Sequence, residues 1–90
     1  MRLYMAHVGF YDNKIGIYEI HSNIFVVAKD IQSAKHIIKN KEIFIDKNMH
    51  IDGIEEVVSV DGYDIVVSEN KSNLYQNKTF DYIEVQSLEE

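Results

Sequence analysis

The stretch Met49–Ser68, MHIDGIEEVVSVDGYDIVVS, decides the fold. Two β-branched runs flank Asp61-Gly62, and Asp-Gly between alternating apolar residues signals a two-residue hairpin, because both turn positions need positive φ. With that turn Val60 faces Tyr63, Ser59 faces Asp64 and Val58 faces Ile65. Alternation along the strands then places Val58, Val60, Tyr63, Ile65 and Val67 on one face, the predicted core face, with Ser59, Asp64 and Ser68 on the other. Upstream, the same parity would bury Asp52 and Glu56, which is costly for unpaired carboxylates. A bulge at Gly53 removes the conflict by turning Ile51 inward and His50 and Asp52 outward. A rival reading makes Asp52 the N-cap of a short helix with Glu55 as its capping-box partner, but so few residues precede the turn that such a helix would be marginal.

Working outward, Arg2–Phe10 is apolar at nearly every position and reads as a central strand covered on both faces. Ile15–Ala28 is too β-branched for a helix and reads as one bent strand or two short ones, interrupted at Ser22-Asn23. Asp30 caps a helix of roughly ten residues. Its stripe is Ile31, Ala34, Ile37 and Ile38, with His36 beside it as a half-exposed structural histidine. Ile43-Phe44-Ile45 anchors the loop back to the sheet, and Phe80–Val85 is a candidate fifth, edge strand. The fold class is therefore α+β: a single small domain over residues 1–90 in ββαββ order. One helix packs on one face of an antiparallel or mixed sheet.

Ninety residues suit one domain, and 46% hydrophobic with 27% charged residues describes a globular chain rather than a disordered one. The absence of cysteine excludes disulfides and thiolate sites. Fifteen acidic against nine basic residues, a net charge of −6, opposes attraction to phosphate backbones, so nucleic acid is not the expected partner. The lysines from Lys35 to Lys47 read as a solvated helix face and loop. No basic-then-apolar leader opens the chain and no apolar run approaches the roughly 20 residues of a membrane span. The expectation is a cytoplasmic protein without membrane contact.

Three segments, LYMAHVG, YEIHSNIFVVA and MHIDGIEEVVSVDGYDIVV, resemble in order and spacing the bacterial domain-of-unknown-function family numbered fifteen forty-three. The matching positions are Glu19 and His21, Phe25 to Val27, His50 to Asp52, and Val60 to Tyr63. The resemblance covers residues 3–67 and leaves 68–90 as a C-terminal extension. The chain departs from the family pattern at Ser22, where Asp is common, at Phe10–Asn13, where glycines are common, and at Ile43–Ile45, which replaces Trp-Phe-Gly. The resemblance implies the fold and a bacterial cytoplasmic setting, and no activity.

Glu19-Ile20-His21 and His50-Ile51-Asp52 each place a histidine and a carboxylate two apart, on one side of a strand. If the two strands are neighbours, Glu19, His21, His50 and Asp52 converge on a set suited to a divalent metal or to proton transfer, although a structural network of cross-strand hydrogen bonds is the reading that this spacing favours, with a binding surface next. His7, in the apolar first strand, reads as a hydrogen-bonded core or edge histidine. No phosphate loop, nucleophile elbow or dinucleotide fingerprint occurs. The expected function is a small non-enzymatic interaction or regulatory module that needs no cofactor and associates with a protein partner or with itself through a sheet edge. The alternative is a metal-dependent or acid/base enzyme built on Glu19, His21, His50 and Asp52.

Overall fold

The structure, a computed structural model, describes residues 1–74 and 76–89; Tyr75 and Glu90 of the C-terminal extension lie outside the described residues. Strands β1 (Arg2–Tyr11) and β2 (Glu19–Ala28) form a long antiparallel pair. Helices α1 (Ile31–Lys39) and α2 (Glu42–Asp46) follow, and β3 (His50–Glu56) returns to pair antiparallel with β1. The sheet order is β2-β1-β3, so the first strand is central as expected, but it is covered on one face only: Tyr4, Ala6 and Val8 are buried while His7 on the opposite face is exposed. β4 (Ser59–Val60) and β5 (Tyr63–Asp64) make a separate two-stranded hairpin, and α3 (Tyr82–Gln86) is the last element among the described residues.

The core lies between α1 and one face of the sheet. Tyr4, Ala6 and Val8 of β1, Val26 and Ala28 of β2, Ala34 and Ile38 of α1, and Phe44 of α2 are buried there, with Ile24, Met49, Ile51 and Ile54 against them. Asp30 caps α1 by accepting from the Ser33 amide at 2.7 Å. Of the predicted stripe, Ala34 and Ile38 reach the core, while Ile31 and Ile37 remain exposed at its margins.

α2 was hidden in what reads as a loop anchor. It closes in a Schellman arrangement: the Met49 amide donates to the Phe44 carbonyl and the Asn48 amide to that of Ile45, with Asn48 at φ 49°. The predicted anchoring role of Phe44 holds. At the other end of the sheet, Lys47 bonds Asp12 at 3.1 Å and ties the β1–β2 turn to the end of α2.

Four further expectations need correction. β2 runs in unbroken register from Glu19 to Ala28, so Ser22-Asn23 is no bend; both lie on an edge strand, exposed, where polar side chains carry no burial cost. The Asp61-Gly62 turn has the expected register, Val60 with Tyr63 and Ser59 with Asp64, and both turn residues have positive φ. Its apolar face, however, is not core: Val58 is 58% and Tyr63 76% exposed. The Val57 amide still reaches the Leu3 carbonyl, but beyond that point the hairpin has run past the end of β1, and among the described residues no helix packs on it. Phe80–Val85 is no strand: Asp81 and Glu84 form a reciprocal capping box that starts α3 instead. His7 is neither buried nor at an edge, but exposed on the central strand. Among the described residues no helix is long and apolar enough to cross a membrane.

Two outcomes test this account. Ile38→Ala, which empties a fully buried site, should cost about 2–5 kcal/mol in urea unfolding, whereas Val60→Ala on the uncovered hairpin should change stability by less than about 0.5 kcal/mol. The Lys47 ammonium and the Lys14 amide hold the Asp12 carboxyl below its ordinary value, and the Ser33 amide and hydroxyl do the same for Asp30. These carboxylates stabilise the fold fully above the ordinary unfolded-state value of about 3.9 and lose that contribution as pH falls through their lowered folded-state values. Asp12→Asn and Asp30→Asn should each flatten the acid limb of a stability-against-pH curve.

Candidate functional site

The face of the sheet opposite α1 carries no second layer among the described residues. Cross-strand pairing fixes what it displays: Met5, His7 and Gly9 from β1, His21, Asn23, Phe25 and Val27 from β2, and His50, Gly53 and Glu55 from β3. The β3 register slips between the partners of His7 and Val8, from Gly53 to Ile51, so Asp52 is the bulged residue. This is the bulge anticipated at Gly53. Ile51 turns inward against the core and His50 and Asp52 turn outward.

The two histidine-carboxylate pairs do converge, though not because their strands are neighbours. β2 and β3 are the two edges of the sheet, and His21 and His50 flank the same β1 residue, Gly9. Strands two apart lie roughly 9.5 Å from one another, so a side chain at the central position would stand between them. Gly9 supplies none: a β-carbon built there would lie 2.6 Å from His50 Nε2 and press on Glu19 Oε1 as well. Gly9 is buried beneath those two side chains.

The contacts close a cycle. Glu19 Oε1 lies 2.5 Å from His50 Nε2 and its Oε2 3.5 Å from His21 Nε2. Asp52 Oδ1 lies 3.2 Å from His50 Nε2 and its Oδ2 3.2 Å from His21 Nδ1. Each carboxylate therefore addresses both histidines. His50 Nε2 faces two carboxylate oxygens at once, and one N–H cannot point along both directions. Donors around a tetrahedral ion at about 2.1 Å stand about 3.4 Å apart, close to three of the four spacings here, while Glu19 and His50 stand closer.

His7, which sequence alone placed elsewhere, borders the cycle. Its ring stacks on that of His21, centroids 4.9 Å apart and planes within 2°. Its Nδ1 lies 2.9 Å from Asn23 Oδ1. Since that oxygen only accepts, the His7 Nδ1–H donates to it, which in the neutral ring leaves the lone pair on Nε2. The missed signal was the alternation Met5-His7-Gly9 against Tyr4-Ala6-Val8, which sets His7 on the side of Gly9. All four members of the cycle are partly solvent-exposed, so their ion pairs contribute little to stability.

A family model described as Domain of Unknown Function (DUF1543) matches residues 16–67. That span holds all four members of the cycle and begins after β1, so Gly9 and His7 fall outside it. No curated protein and no solved structure matches the chain.

Gly9→Val should keep the sheet, because valine suits a strand, and should push Glu19 away from His50. The check is the nuclear Overhauser contact between the Glu19 side chain and the His50 ring: present in the native chain, absent in the variant, with far-UV circular dichroism unchanged.

Proposed function

This chain belongs to the Domain of Unknown Function (DUF1543) family, and on that premise we propose that its open sheet face binds a divalent transition-metal ion through Glu19, His50 and Asp52, with His21 on the other Asp52 oxygen beside it. The observation that supports this most is the cycle itself. Two edge strands send carboxylates and imidazoles across a glycine to meet at ligand spacing, on a face where water would satisfy each group separately. Mixed imidazole and carboxylate donors suit zinc, manganese, iron or cobalt rather than calcium or magnesium. The outward position of the groups leaves room for water or a small oxygen ligand on the ion, which is how a bound metal would serve hydrolytic or acid/base chemistry. His50 Nε2 and the two oxygens beside it, Glu19 Oε1 and Asp52 Oδ1, form the tightest donor set.

A second reading, a module that associates through a sheet edge with a protein partner or a second copy, draws support from β2. It is a ten-residue edge strand that among the described residues is paired on one side only, and Phe25 on it is 58% exposed. Dependence of sedimentation on protein concentration, abolished by Phe25→Lys, is the expected outcome for that reading.

For the metal, chain stripped with chelator and freed of it should bind zinc, cobalt or manganese saturably in calorimetry and melt at a higher temperature when loaded. His50→Ala and Asp52→Asn should each weaken binding by about 10- to 100-fold or more, a loss that even partners outside the coordination shell can cause. Absence of saturable binding by all three metals would sink the proposal.

A further inference from the structure

Beyond a single ion, we infer that the face is a two-metal site in which Asp52 bridges the ions; the inference rests on the metal-binding reading above. Two donor sets lie side by side and share one residue. His7, His21 and Asp52 form the first and Glu19, His50 and Asp52 the second, each with ligand atoms within 4.8 Å of one another. Asp52 does not offer the same atom to both. Its Oδ2 points at His21 and its Oδ1 at His50, each at 3.2 Å. A carboxylate with one oxygen toward each of two donor groups is the geometry that holds two ions about 3.5–4 Å apart.

Three further features fit a pair and are not needed by one ion. His7 Nε2 keeps its lone pair because Nδ1–H is engaged by Asn23, the carbonyl-type partner that orients a metal-bound histidine from behind. His21 turns Nδ1 toward Asp52, and Glu19 Oε2, 3.5 Å from the opposite nitrogen Nε2, stands where a carboxylate orients a ligating imidazole from behind. Asp52 is the bulged residue of β3, which frees it from pairing with any single β1 position. With three protein residues per ion, each ion keeps open positions for water or for an oxyanion shared between the two.

The test loads metal-free chain with zinc and measures bound metal per chain by elemental analysis, with X-ray absorption on the loaded sample. The expected result is two zinc ions per chain and a zinc–zinc distance of about 3.5–4 Å. His7→Ala, at an exposed position that leaves the core intact, should retain one ion, on Glu19, His50 and Asp52, and lose the zinc–zinc signal. One ion per native chain would overturn the inference and leave the single-ion proposal standing. So would two ions without a zinc–zinc signal, or a His7→Ala variant that loses both ions or neither. No zinc at all would remove both.

Discussion

Each face of β1 is committed to a different environment, and that constraint governs the rest of the molecule. Both of its edges are occupied by partner strands, so its backbone groups are satisfied and only its side chains remain to choose sides. Tyr4, Ala6 and Val8 point to α1 and build the core; Met5, His7 and Gly9 point away. Stability comes from the first set, where apolar area leaves water. The second set adds little stability, and its polar groups are the more specific for that. A cycle of imidazoles and carboxylates half in water stabilises the fold only weakly.

Gly9 links the two halves of this arrangement. In a three-stranded sheet the outer strands ordinarily cannot exchange side-chain contacts, because the middle strand's own residues intervene. Removing one side chain at one outward position turns a barrier into a floor. Glu19 and His50 close over it, and groups about thirty residues apart in sequence share a site.

Much of this was legible in the sequence. The Asp61-Gly62 register, the Asp30 cap, the Gly53 bulge and the pairing of Glu19 with His21 and of His50 with Asp52 all rest on local chemistry, and local chemistry reads directly. The failures were of another kind. Whether Val58 and Tyr63 are core depends on how far β1 extends beneath them, a tertiary fact that alternation cannot supply. Phe80–Val85 has residues that alternate partly as a strand does, but Asp81 and Glu84 stand three apart, and the capping box wins where no neighbouring strand offers a ladder. The site was inferred on a premise of adjacent strands that does not hold; the sheet order β2-β1-β3 brings the same residues together by way of Gly9 and adds His7.

The bulge in β3 has an implication for how such a site is gained or lost. Asp52 stands outside the ladder: Gly53 pairs with His7 and Ile51 with Val8, as they would in a regular strand without it. Excising that one residue would leave the inward and outward assignment of every other β3 position as it is, and would take away only the acid that spans the two histidines. A whole-codon deletion, rather than a change of side chain, is thus the smallest heritable step between a sheet that carries the cluster and one that carries bare histidines on the same scaffold.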